Sequence, residues 1–327
     1  MHIPAVRALA SGVVVVAALA ACSKHEETPA PAASAPPTAA TVAPAAPKVS
    51  NVHAFTIGEL SAYALRDGVL EFPNDNKIFG LGHTVEETSA LLTAHALPTD
   101  MLHFSVQPLL VKTADKVLLF DTGAAGSFGP GTGLLPDALK EAGVDPAKIT
   151  DVFISHLHGD HVGGLIDAQG ALAFPNATIH IQKAEWKFLQ EVKEDMAKAM
   201  GLGKRDALVA AMKPKVDAFA AGAALVPGTV TAVDVQGHTP GHSAYKVTSG
   251  TQSILYVGDS MHHFVISVRK PDWLVNFDGD QATGARSRAK LIADSAASGQ
   301  RVFSPHFPFP GIGKFEKKDD GYAWVAE

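Results

Sequence analysis

The chain has 327 residues, 46% of them hydrophobic and 18% charged, which is enough to bury a real core as one large domain or two ordinary ones. Lysine and arginine number 27 against 33 aspartates and glutamates, a net charge of −6 with both signs mixed along the chain. The basic footprint of a nucleic-acid binder is therefore missing, and DNA and RNA are discounted as partners. Cys22 is the single cysteine, so an intramolecular disulfide, a cysteine nucleophile and a cysteine metal ligand are all excluded for the folded part.

Arg7 gives a positive start, and Ala8 to Ala21 is an uncharged apolar stretch too short to span a bilayer, which reads as a secretory signal over residues 1–21. It ends in Leu19-Ala20-Ala21-Cys22-Ser23, which resembles the lipobox of bacterial lipoproteins. The resemblance implies a lipid on Cys22 and attachment on the periplasmic side of a bacterial membrane, the outer membrane first. The alternative is an ordinary cleaved signal and a soluble periplasmic protein. Residues 22–50 are dominated by Ala, Pro, Thr and Ser, a semi-extended tether without apolar period. The folded domain is expected over residues 51–327.

Short β-type runs follow at Val52 to Ile57, Phe104 to Lys112, Lys116 to Phe120, Asp151 to Ser155 and Thr178 to Gln182. Further runs are Val230 to Val235, Ala244 to Thr248, Ile254 to Val257 and Arg301 to Ser304. Apolar positions Trp186, Leu189, Val192, Met196 and Met200 recur at three or four residues, which predicts a helix over Lys183 to Met200. Arg205 to Ala221 and Gly284 to Ala297 are also helical in pattern. Strands in two groups with helices between and after them predict a layered α/β domain with mixed sheets.

Chemistry concentrates in FISHLHGDHVGGL, residues 153 to 165. His156 and His158 are two apart, so on extended backbone their rings project to one side and can share an ion. Gly159 lets the chain turn, and Asp160 with His161 can aim at a second point. A carboxylate beside imidazoles suits Zn or Mn. Four donors in six positions would repel or stay unpaired without an ion, whereas most of the 15 histidines, including His180, His262 and His263, read as ordinary surface or satisfied core residues. The remaining donors must come from GHTPGH (237–242), from YVGD ending in Asp259, and from SPHFP with His306.

HLHGDH, then PGH, GD and a late PHF, is similar to the metallo-β-lactamase superfamily signature over about Phe104 to Lys314. The resemblance implies an αβ/βα sandwich, α/β (α+β) in class, with two mixed sheets flanked by helices and two divalent ions at one edge. Zinc is expected first, with manganese, iron or cobalt as alternatives. By motif, the first ion falls to His156, His158 and His242, the second to Asp160, His161 and His306, with Asp259 as bridge. The family ligand is then the second histidine of GHTPGH, and His238 is supporting. Asp121 in LFDTG would support the metal loop.

A bridging hydroxide would attack the substrate, and Asp160 or Asp259 would relay the proton, so the reaction class is hydrolysis. His158 stands where flavodiiron relatives carry Glu, and Asp259 where zinc β-lactamases commonly carry another residue. Tyr256 to Phe315 (VGDSMH, FDGDQATGARSR, SPHFPFPGIGKF) looks closest to methyl parathion hydrolase and lactonase-like enzymes. Phe128 and Trp186 fall near that group's aromatic entrance, while GLGK at 201–204 lacks a further aromatic. The glycines from Gly123 to Gly133 lack GK[ST] and read as a mobile loop over the cleft instead of a phosphate cradle. The expected function is cleavage of a small lactone or phosphotriester. The alternatives are a β-lactamase-like or thioester hydrolase and, from another class, a zinc- or solute-binding lipoprotein. A small-molecule substrate and a homodimer complete the expected partners.

Overall fold

Runs of aliphatic and β-branched residues too short for helices pair into two seven-stranded sheets in the computed structural model, which describes residues 49–319 and 321–327. The first sheet takes its strands in chain order: Val52–Ile57, Leu60–Leu65, Leu109–Lys112, Val117–Phe120, Asp151–Phe153, Thr178–Gln182 and Val216–Phe219. The second does the same with Ala224–Val226, Val230–Asp234, Ser243–Ser249, Gln252–Tyr256, Arg301–Phe303, Ile312–Lys318 and Gly321–Ala326. Both sheets mix parallel and antiparallel pairs, as in Leu119 opposite Val152 (parallel) and Tyr245 opposite Tyr256 (antiparallel).

Alternation along each strand sends one set of side chains between the sheets and the other outward. The inner set, with Phe120, Phe153, Tyr245, Tyr256 and Phe303, is a single apolar layer. The outer face of the first sheet is covered by helices Leu135–Glu141, Lys183–Glu191 and Arg205–Met212, and that of the second by Gln281–Ser298 through Leu291 and Ile292. This gives helix, sheet, sheet, helix: the expected αβ/βα sandwich. A smaller pair, Gly68–Pro73 with Met101–Val106, and the helix Val85–Ala94 build an apolar wall beside one sheet edge.

Several expected boundaries are revised. The helix expected over Lys183 to Met200 is broken at Val192, whose ψ of 132° is extended, leaving Lys183–Glu191 and Glu194–Ala199. Arg205 to Ala221 is helical only to Met212 and then supplies the strand Val216–Phe219. Phe104 to Lys112 divides at Gln107 and Pro108, where proline lacks an N–H; the Gln107 side chain there donates through Nε2 to the carbonyls of Ser304 and Phe307 at 2.8 and 2.9 Å. The signal, the lipobox and the tether up to residue 48 lie outside the described residues. No helix among the described residues is long and apolar enough to cross a membrane.

Candidate metal centre

The strand Asp151–Phe153 delivers residues 154–158 in extended form to the sheet edge, and a one-turn helix, Gly159–Val162, follows. His156 and His158 therefore point the same way, with His156 Nε2 3.1 Å from His158 Nδ1. Gly159 is needed for closeness and not for a left-handed turn: a Cβ there would lie 2.7 Å from the Gly201 carbonyl oxygen. The short helix swings Asp160 and His161 to a second point.

The second sheet supplies the partners. His238 Nε2 comes within 2.8 Å of His158 Nδ1 and 3.2 Å of His156 Nε2. Asp259, at the end of the Gln252–Tyr256 strand, presents Oδ2 to this group, 3.3 Å from His238 Nε2 and 3.6 Å from His156 Nε2. Its Oδ1 faces the other group, 3.0 Å from His161 Nε2 and 2.9 Å from His306 Nε2. Asp160 Oδ2 closes that second set at 3.4 and 3.6 Å from the same two nitrogens.

These contacts fit cations better than hydrogen bonds. Three imidazole nitrogens 2.8 to 3.2 Å apart cannot all be satisfied by sharing protons, while tetrahedral ligands ~2.0 Å from zinc stand about 3.3 Å from one another. Asp259 Oδ1 is buried and forms no hydrogen bond although two histidine nitrogens are within 3.0 Å, because these atoms face a common point instead of each other. Imidazole with carboxylate is a zinc-type donor set. Two groups of donors, His156, His158, His238 with Asp259 and Asp160, His161 with His306, are thus assembled from four stretches of chain.

The expectation that His242 belongs to the first group is corrected. Its Nε2 accepts the Asp259 backbone N–H at 3.0 Å and its Nδ1 lies 3.1 Å from the Val235 carbonyl, so both ring nitrogens are spent on backbone. His238 takes the place instead, its Nδ1 held by Asp278 Oδ1 at 2.9 Å. Asp278, inside the FDGD stretch, was not singled out by sequence reasoning. Its signal would have been a carboxylate in a turn before the helix Gln281–Ser298.

Electrostatics follow from crowding. Burial pushes His158 and His242 down to about 3, reinforced by the nearby His238. Burial opposes protonation of His238 too, but the Asp259 and Asp278 carboxylates outweigh it and raise the ring to about 9. His161 is likewise held well above the usual range, against burial, by Asp259, Asp160 and Asp121. Burial would raise Asp259 and Asp160, yet the surrounding histidines hold both carboxyls below the usual range. Asp121 does support the loop: Oδ2 receives His161 Nδ1 and the Tyr256 hydroxyl at 2.7 Å each, and Oδ1 accepts the Ser155 N–H at 2.7 Å.

The centre opens into a cavity of 340 Å³ walled by Leu70, Phe72, Phe79, Phe104, Met200 and Phe277, with Phe128 from the glycine-rich loop at its rim. Trp186 is absent from that lining and packs against the core of the first sheet, so only Phe128 of the two expected entrance aromatics stands there. His262, read from the sequence as an ordinary histidine, borders the cavity. Its Nε2 lies 3.2 Å from Asp259 Oδ2, and its Nδ1 has no hydrogen-bond partner among the described residues.

A two-sheet sandwich with paired cation sites at its edge defines the class of metal-dependent hydrolases. Residues 101–297 match the metallo-beta-lactamase superfamily, and the chain belongs to that family. It is similar to the solved structure of AidC, a dizinc quorum-quenching lactonase in complex with a product, at 31% identity and a TM-score of 0.79, covering 85% of this chain and 98% of that one. It is also similar to the hydrolase AbOPH in the beta lactamase superfamily, at 27% identity and a TM-score of 0.77, covering 86% and 98%. Among curated proteins, the N-acyl homoserine lactonase AttM of Agrobacterium fabrum is 32% identical over 120 residues, 34% of this chain and 40% of the relative. The chain spans only part of such relatives: 19% of a ribonuclease Z from Salinibacter ruber and 56% of a probable metallo-hydrolase from Mycobacterium tuberculosis.

Proposed function

We propose that the protein hydrolyses a neutral lactone bearing an apolar arm, of the N-acyl homoserine lactone kind, with two zinc ions. The observation that carries the reading is the two-cation donor set opening directly into an apolar, largely aromatic cavity. Among the described residues no lysine or arginine lines that cavity, so a substrate carboxylate, as on a β-lactam, finds no cationic side chain there. The similarity to AidC and to the AttM lactonase supports the same choice.

When bound, two such cations supply an attacking water of lowered pKa and polarise the scissile carbonyl. The chain does the rest. His156, His158 and His238 would hold one ion, and Asp160, His161 and His306 the other. Asp259 turns Oδ2 to the first group and Oδ1 to the second, so it would serve both ions. Phe72, Phe79, Phe104 and Phe277 take the apolar arm and keep bulk water out. Asp160, which turns only Oδ2 to the second group, would be placed to pass the proton released by attack to the departing ring oxygen.

The test is turnover by the zinc-loaded chain on a panel of N-acyl homoserine lactones of increasing arm length, an aryl ester, a phosphotriester, a thioester and a β-lactam. Lactone cleavage with kcat/KM rising with arm length is expected, and Asp259→Ala should lower zinc content and turnover at least a hundredfold. Preference for the phosphotriester would instead favour the second reading suggested by the aromatic lining. Zinc bound without any turnover would leave a binding protein. Residues 1–50 extend the proposal to an exported lipoprotein with a lipid on Cys22 and a tether that stands the domain off a membrane. Fractionation checks this: Cys22→Ala should move the protein from the membrane to the soluble fraction, and an unchanged distribution refutes the anchor.

A further inference from the structure

We propose that Glu185 is a positioning residue that sets the first cation site by bracing the two loops that carry its three histidines. The inference rests on the two-cation reading above. Glu185 stands in the first turn of the helix Lys183–Glu191 and is 0% exposed. Its Oε1 accepts the backbone N–H of Leu157 at 2.9 Å, and its Oε2 accepts that of Gly241 at 2.8 Å. Leu157 lies between His156 and His158, and Gly241 follows His238 by three positions. One carboxylate therefore ties the HLH segment of the first sheet to the GHTPGH turn of the second.

Such a placement is unfavourable on its own. Burial raises the carboxyl to about 7, with the Gly241 amide pulling the other way, and no lysine or arginine pairs with it among the described residues. What the carboxylate offers is two acceptors on one rigid fork, which neither glutamine nor an apolar residue reproduces: a glutamine amide nitrogen would face one of the two N–H groups. The fit on the turn side leaves no slack, since a Cβ on Gly241 would lie 2.4 Å from Glu185 N. The spacing of His238 Nε2 from His158 Nδ1 and His156 Nε2 depends on how far apart these loops are held.

The second group leans on other supports. His161 Nδ1 rests on Asp121, and His306 Nδ1 lies 2.7 Å from the Ser105 carbonyl oxygen. Loss of the Glu185 brace should therefore weaken one site and spare the other, an asymmetry that a general packing role would not produce.

The experiment is zinc titration of the metal-free full chain by calorimetry, with bound metal counted by elemental analysis and cobalt spectra recorded in parallel. Two tight sites are expected in the unsubstituted protein. Glu185→Gln should keep one of them and weaken the other by about tenfold to a hundredfold, the range seen when groups behind metal ligands are removed, with loss of one cobalt signal and recovery of turnover at high zinc. Two unchanged sites, or two sites weakened alike, overturn the proposal. A parent chain that binds no metal refutes the two-cation reading itself, a separate failure visible before any substitution is made. Should Glu185→Gln not fold by circular dichroism, Gly241→Ala, whose Cβ would push the His238 turn and the helix start at Glu185 apart, must show the same one-site loss, and equal affinities there overturn the proposal.

Discussion

His238 and His242 share one turn and differ by four positions, yet the structure gives them opposite tasks. His238 Nε2 faces two other histidines and Asp259, while His242 is locked to backbone on both nitrogens. His238→Ala is therefore expected to reduce bound zinc from two ions per chain toward one, with turnover falling at least a hundredfold. His242→Ala removes a buried acceptor from the Asp259 N–H and should lower stability by about 1 to 3 kcal/mol while both ions remain, more weakly held. Elemental analysis and urea unfolding separate the two results. A His242 variant that loses one ion outright while His238→Ala keeps both would reverse the assignment. HLHGDH was legible in the sequence because two-residue spacing fixes a face of extended chain whatever surrounds it. The choice within GHTPGH was not, because it is made by Asp278, 40 positions later, and by which ring finds backbone partners after the sheets have met. His262 escaped for the same reason, since only the fold puts it beside Asp259.

Elements with strong local signals were found, and those defined by their neighbours were not. Leu60–Leu65 reads LSAYAL, rich in alanine and without marked β character, and becomes a strand because it pairs on both sides. The hairpin Ile312–Lys318 with Gly321–Ala326 closes one edge of the second sheet, and its charged residues Lys314, Glu316, Lys317 and Lys318 all lie on the inner of its two strands, which pairs on both sides. Between elements, a polar chain ties four parallel strands of the first sheet. Asp151 receives Lys116 Nζ at 2.9 Å, Thr150 Oγ1 at 2.6 Å and His180 Nε2 at 3.0 Å, and His180 Nδ1 is 3.1 Å from Asp217. Burial works against the Asp151 carboxylate, but His180, Lys116 and Thr150 outweigh it and hold its pKa below the ordinary 3.8. A depressed folded-state pKa contributes stability above the unfolded value, and this stability disappears as pH falls through the folded one. Asp151→Asn should thus cost about 2 to 3 kcal/mol at pH 7, and the gap from the unsubstituted protein should begin to narrow below about pH 4 and close only as pH falls through the lower folded-state value. Urea midpoints across that range test it, and a pH-independent gap would mean that charge is not what the network uses.

At the scale of the molecule, the centre joins the two halves of the sandwich. His156, His158, Asp160 and His161 come from the first sheet's edge, and His238, Asp259 and His306 from the second's. Cations bound there exist only in the folded state, so at free zinc about a thousandfold above Kd each adds roughly 4 kcal/mol. Chelation is expected to lower Tm by about 15 °C, given roughly 2 °C per kcal/mol for a domain of this size. The loss should depend on pH, with a sign that the histidines set. In the metal-free protein the Asp259 and Asp278 carboxylates raise His238 from 6.5 to about 9 against its burial. That protonation is a stabilising contribution fully present below about pH 6.5 and lost as pH rises toward 9. Protons thus partly stand in for the missing cations in acid and not in base, whereas the loaded protein carries no such proton. Calorimetric scans at pH 6 and pH 9 should show the Tm difference between loaded and chelated protein widening with pH. A difference that is flat or narrows would mean that the carboxylates at this edge are not balanced by the histidines across the cleft.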